Sequence, residues 1–261
     1  SYQTEFDSER LHGLMWTFML SIISFAVVIP LANLLKRKGR ENFSVERFSC
    51  IYSNCGFMGI PLISALFGSD GVLYLTAYIT VFNLLVFTHG YMMMKEETDF
   101  SAFIKAVKSP TVVATLIGLV CYVANLKLYR IPVAGDVISE SFQFIADMNT
   151  PLAMLIAGAT AAQSSLLRSV CDWKIITTTL YKLVLLPIVI ILIMSVLPDA
   201  VPEMSKTIVC IACACPAATT GTMFALLFDK NAQRCSEIFA ITTIFSMATL
   251  PLITALASMM I

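Results

Sequence analysis

An uncharged run from Phe48 to Ser69 is long enough to cross a bilayer as a helix, yet it carries Ser53-Asn54-Cys55-Gly56-Phe57-Met58-Gly59-Ile60-Pro61 near its middle. Glycine weakens a helix interior, and proline removes an amide and clashes with the turn before it, so the run is expected to break there. In hydrocarbon the backbone groups freed by a break find no water. A break is therefore tolerated only where protein buries it or a polar cavity lines it. The stretch thus predicts a membrane protein and the address of a binding site together. A second uncharged run, Thr207 to Phe228, is interrupted by Cys213-Ala214-Cys215-Pro216-Ala217-Ala218-Thr219-Thr220-Gly221. Two matched breaks predict one site made twice.

Composition agrees with that placement. With 58% hydrophobic and 13% charged residues, the chain has too little polar surface to coat a soluble globule of its 261 residues. The charges fall in clusters between long neutral runs, the pattern of helical spans and not of short alternating barrel strands, so an all-α membrane protein is expected. Seventeen basic and seventeen acidic residues cancel. That balance leaves no large basic field, and nucleic acid is not an expected partner. Most of the eight cysteines lie inside the spans and are read as small packing residues. Cys210-Ile211-Ala212-Cys213 has CxxC spacing without an accompanying histidine or second pair, so no metal and no cofactor is expected. No motif for nucleophilic or phosphate chemistry appears, and the chain is not expected to be an enzyme.

Eight spans are expected: Leu11 to Leu35, Phe48 to Ser69, Gly71 to Met94, Ser109 to Leu126, Val137 to Ser165, Trp173 to Leu197, Thr207 to Phe228, and Ser236 to Ile261. A tight turn at Gly68-Ser69-Asp70-Gly71 joins the second to the third. Alternating passes put twelve Lys and Arg on the side of the Lys36-Arg37-Lys38-Gly39-Arg40 loop and four on the other, with Lys182 inside a span. The positive-inside rule then assigns that loop to the cytoplasm.

Five passes separate the two broken spans, so they cross in opposite senses. Ala65-Leu66-Phe67-Gly68 resembles Ala225-Leu226-Leu227-Phe228, and Tyr78-Ile79-Thr80-Val81-Phe82 resembles Thr242-Thr243-Ile244-Phe245. The first three spans accordingly pair with the last three as an inverted repeat. Residues 1–94 are expected to hold the last three helices of one five-helix repeat, 95–108 a cytoplasmic connector, and 109–261 a complete second repeat. Symmetry calls for two more helices before Leu11, roughly 50 to 65 residues.

Asn54 to Leu62 followed by Leu66-Phe67-Gly68 resembles the fourth-helix motif of the auxin efflux carrier family, the permeases related to the plant PIN-formed exporters. Asn149-Thr150-Pro151-Leu152-Ala153-Met154-Leu155-Ile156-Ala157-Gly158 is similar to its seventh-helix signature, Cys215-Pro216-Ala217-Ala218-Thr219-Thr220 to its ninth-helix break, and Thr249-Leu250-Pro251-Leu252 to its tenth. The resemblance implies a ten-helix fold of two inverted fives with crossing broken helices, an elevator-like alternating-access mechanism, and a small organic anion such as an auxin-like carboxylate or a dicarboxylate as substrate. It also implies the plasma membrane and the subunit contacts of a homodimer.

After each break a new half-helix begins, and its first amides have no carbonyl four residues back. These donors and the positive end of the peptide dipole favour an anion near mid-bilayer. Gly56, Gly59, Pro61, Pro216 and Pro151 are the expected helix-breaking positions. Ser53, Asn54, Thr219 and Thr220 supply polar side chains there, and Gly56 a bare backbone. These five are candidates for substrate contact, or else the side chains satisfy backbone groups released at the breaks. Lys182 is a candidate counter-charge to the anion. It lies about 12 Å from the cytoplasmic end of its helix, close enough to snorkel, and snorkelling is the expected arrangement. Asp147 is expected to cap a helix beside the Pro151 irregularity, and His12 and His89 to pack at the interfaces. A ligand sensor using the same cleft without transport is the rival reading.

Overall fold

Long neutral stretches with no water to satisfy their backbone must close their hydrogen bonds within themselves, and the computed structural model of the protein is accordingly helical. It describes residues 8–34, 42–96, 134–148 and 169–261, with single positions between 113 and 162. Among these the helices are α1 Ser8–Asn33, α2 Phe43–Ile51, α3 Ile60–Leu85, α4 Tyr91–Lys95, α5 Ala134–Asp147, α6 Trp173–Leu180, α7 Leu186–Ser195, α8 Glu203–Ala214, α9 Thr220–Leu227 and α10 Ala232–Met260. Wider π-helical turns at Cys55–Gly59, Val86–Gly90 and Tyr181–Leu185 lead into α3, α4 and α7. The one β pairing among the described residues is an isolated antiparallel bridge between Ser53 and Ala217.

Among the described residues, four helical stretches have the length and apolarity of membrane spans: Glu9–Asn33, Cys55–Lys95, Trp173–Ser195 and Ala232–Met260. The second has 41 residues, about 60 Å of helix and twice the thickness of a bilayer core. It doubles back at Gly68, whose φ of 64° and ψ of −152° are left-handed and non-helical. Only glycine adopts that conformation without strain. The reversal brings Leu75 back against the start of this stretch, where its Cδ2 lies 3.8 Å from the position a Cβ on Gly59 would take. The turn expected at residues 68–71 is thus present. Most of the expected span at 109–126, part of that at 137–165 and residues 97–108 of the connector lie outside the described residues.

The core is continuous across α1, α2, α3, α6, α7, α8, α9 and α10, with Phe25, Phe48, Tyr52, Tyr78 and Phe239 among its largest buried side chains. Faces turned outward are apolar as well: Met15, Met19, Leu192, Met247 and Leu252 are exposed. A helix wall apolar on both sides is what lipid requires and water would penalise.

Candidate functional site

The expected breaks exist, but the first falls earlier than its glycines and proline suggest. α2 ends at Ile51, and the non-helical stretch is Tyr52 to Asn54. Gly56 and Gly59 lie in the π-helical turn that follows, and Pro61 occupies the first turn of α3. Proline has no amide to donate back into the turn before it, and that turn is the wider π-helical one. The three residues therefore open the second arm, and the loss of helix itself is at Tyr52 to Asn54. In the second run α8 ends at Ala214 and α9 begins at Thr220, so Pro216 does lie within the break. Pro151 is helical and exposed, while Asn149, Thr150 and much of the motif around it lie outside the described residues.

The two breaks satisfy one another. Asn54 N–H donates to the Pro216 carbonyl at 2.7 Å, and Ala218 N–H donates to the Tyr52 carbonyl at 2.9 Å. Ser53 Oγ donates to the Cys213 carbonyl at 3.0 Å, and Ala217 N–H donates to Thr242 Oγ1 on α10 at 3.1 Å. Four hydrogen bonds thus close the backbone of both interruptions inside the protein, which is the condition for a break to survive in hydrocarbon. Thr242, which the sequence offered only through a faint repeat match, is part of this closure. Thr242→Val keeps the shape and removes the acceptor. It is expected to cost about 1–3 kcal/mol, because the Ala217 amide has no water to turn to, and a melting curve of the purified variant checks it.

With the backbone closed this way, the Asn54, Thr219 and Thr220 side chains take no part in closing it. Asn54 is 5% exposed, yet its carboxamide makes no capping bond to its own helix. Thr219 likewise makes no capping bond, and Thr220 Oγ1 is buried without a partner among the described residues. The second arms begin here: the first helical bond of one is Met58 N–H to Asn54 carbonyl, and of the other Gly221 N–H to Ala218 carbonyl. Amides ahead of these bonds have no carbonyl one turn back. Half-buried Gly56 has open space where a Cβ would stand, so its backbone can be approached closely. Ser53 is different, since its hydroxyl is committed to the Cys213 carbonyl and to Lys182.

Lys182 does not snorkel. It is fully buried on the π-helical turn Tyr181–Leu185, and its Nζ donates to the Cys50 carbonyl at 3.1 Å and to Ser53 Oγ at 2.6 Å. The end of α2 offers the ammonium two oxygens in place of water, and that outweighs the reach to the interface. His89 is half-buried on the π turn Val86–Gly90, with Nδ1 2.9 Å from Tyr52 Oη. Asp147 ends α5, is exposed, and accepts a bond from Gln143 at 2.7 Å. His12 lies at the start of α1, where its Nε2 accepts from Trp16 at 2.9 Å.

Around the crossing, aromatic rings pack α9 against α2 and the end of the Gly68 return arm. Phe48 and Phe224 meet edge-on at 5.7 Å between centroids, and Tyr91 and Phe228 at 4.8 Å. Arg234 in the first turn of α10 binds both Glu46 of α2 and Asp172, the N-cap of α6. The guanidinium beside Asp172 holds its carboxyl below the usual carboxylate range. None of these partners had a sequence signal beyond a charge near a span end.

A family model described as membrane transport protein matches residues 7–101 and 97–254. Among curated proteins, an "Uncharacterized transporter" of Methanothermobacter thermautotrophicus is 25% identical over 203 residues, which cover 76% of this chain and 63% of that protein. The chain thus spans somewhat less than two thirds of the length of that relative.

Proposed function

We propose that this chain, which belongs to the membrane transport protein family, carries small organic anions across the plasma membrane as a secondary active or facilitative permease. The family match agrees with the auxin-efflux-carrier resemblance of the four motifs, and the chain is a multi-pass membrane protein. One observation carries the anion reading. Two broken helices are bonded to each other at their interruptions, and the starts of both second arms meet there beside Asn54, whose carboxamide caps nothing, and Thr220, whose hydroxyl has no partner among the described residues. Helix starts and neutral donors favour a carboxylate, each terminus contributing about 0.3–1 kcal/mol and up to about 2 when partly buried. The resulting affinity is modest, which suits a carrier that must release its cargo.

In this reading the crossing belongs to a ten-helix, 5+5 inverted-repeat plan whose two halves work as an elevator, of which eight helices fall in this sequence. The test is a thermal-shift screen of indole-3-acetate, malate and malonate on the purified chain, followed by uptake of any radiolabelled hit into proteoliposomes. Stabilisation by at least one of these acids together with saturable uptake is the expected result. Stabilisation without uptake would make the protein a sensor, and no stabilisation by any acid would remove the anion assignment.

A further inference from the structure

The chemistry around Lys182 separates it from the anion-binding side of the crossing. An ammonium withdrawn from water needs oxygens or a counter-charge. Lys182 finds oxygens: the Cys50 carbonyl and Ser53 Oγ receive its Nζ, and Ser53 Oγ in turn donates to the Cys213 carbonyl. Cys50 lies in the last turn of α2 and Cys213 in the last turn of α8. Both first arms therefore point carbonyl ends, the negative poles of their helices, at one buried position. Among the described residues no carboxylate pairs with the ammonium there.

Two helix C-termini and an unwound turn, all presenting oxygen in a dry interior, form the surroundings that broken-helix carriers give to a coupling cation. A third helix delivers the occupant here. The π turn Tyr181–Leu185 sets Lys182 on the face of its helix toward α2 and the crossing, a local widening often found at functional positions. The opposite poles, the starts of the two second arms with Asn54 and Thr220, are not among its hydrogen-bond partners.

Resting on the carrier reading above, we propose that Lys182 is a built-in cation: its ammonium fills the oxygen-lined position between the ends of α2 and α8, and the carrier recruits no sodium ion to that position. Lys182 is then a positioning residue for the crossing and not a direct ligand of the substrate.

The test needs neither a known substrate nor flux, so its outcome is independent of whether the anion assignment holds. The purified full chain is melted in choline chloride, sodium chloride and n-propylammonium chloride at equal ionic strength. n-Propylammonium carries the three carbons and the nitrogen that Lys182→Ala removes. Wild type is expected to melt at the same temperature in all three salts and to bind no ²²Na⁺. Lys182→Ala is expected to melt several degrees lower in choline and to recover at least half of that loss in saturating n-propylammonium. Lys182→Met fills the same space and is expected to show no recovery. Sodium that stabilises or binds the wild-type chain would overturn the proposal whether or not the variants fold. So would a Lys182→Ala deficit equal in every salt, or a Met variant that n-propylammonium rescues equally well.

Discussion

Asn54→Ala is expected to abolish uptake of the organic anion while leaving the melting temperature of the chain within a degree or two of wild type. The separation follows from which atoms do the structural work. The Asn54 amide donates to the Pro216 carbonyl, and its own carbonyl receives Met58 N–H; alanine keeps both. The carboxamide caps nothing, so the usual penalty of about 1 kcal/mol for losing a helix cap does not arise. What disappears is a neutral donor at a buried position, 5% exposed. A hydrogen bond to a charged group contributes about 1.5–3 kcal/mol, roughly a ten- to hundredfold loss of affinity, and more where no water replaces it. Asn54→Asp sharpens the test. It preserves size and puts a negative charge where the carboxylate would bind, so uptake is expected to fail for it too. Uptake by Asn54→Ala at the wild-type rate, or loss of uptake matched by a large drop in melting temperature, would return Asn54 to a purely structural role.

How much of this could be read from the amino acids depends on which physical signal carried it. The breaks were legible because Gly56, Gly59, Pro61 and Pro216 change backbone energetics locally, and Gly68 marked the reversal for the same reason. Their exact roles were not. Whether Pro61 breaks a helix or opens one depends on where α2 runs out of partners, and that is decided by the Ser53–Ala217 bridge to a segment 164 residues later in sequence. The meeting of the two breaks was foreseeable from inverted symmetry, but the hydrogen bonds that make it were not. In the sequence Thr242 is indistinguishable from any hydroxyl in an apolar helix, and only the bond from Ala217 N–H marks it. For Lys182, helical spacing gives depth and not direction. Its chain could have reached water, and only the freed Cys50 carbonyl explains why it turned inward. The charges at the span ends carried a sidedness signal but no pairing signal, since each had several candidate partners.

One of those pairings has the largest expected effect on stability. Arg234→Ala is expected to destabilise the chain by about 3 kcal/mol or more, the usual consequence of removing one member of a buried ion pair. Arg234 and Glu46 side chains are 9% and 5% exposed, with Arg234 Nη2 and Glu46 Oε1 3.1 Å apart. The same guanidinium holds Asp172, which caps α6 by accepting Lys174 N–H at 2.8 Å. One side chain therefore joins the starts of α2, α6 and α10, three helices that meet at the crossing through Ser53, Lys182 and Thr242. Asp172 is 39% exposed, so water screens its share and most of the loss belongs to Glu46. Arg234→Lys keeps the charge but not the fork that spans two carboxylates, and an intermediate loss is expected. Acid provides an independent reading of the same contact. Because Arg234 depresses the Asp172 pKa, the stability that pair contributes is fully present above the ordinary carboxylate range and is lost as pH falls through the lowered value. Melting temperatures taken from neutral pH down to about pH 3, below the ordinary Asp value of about 3.9, should decline more steeply for wild type than for Arg234→Ala. A variant that melts with wild type at neutral pH, or whose acid slope is unchanged, would show that the three helix starts are held by apolar packing alone.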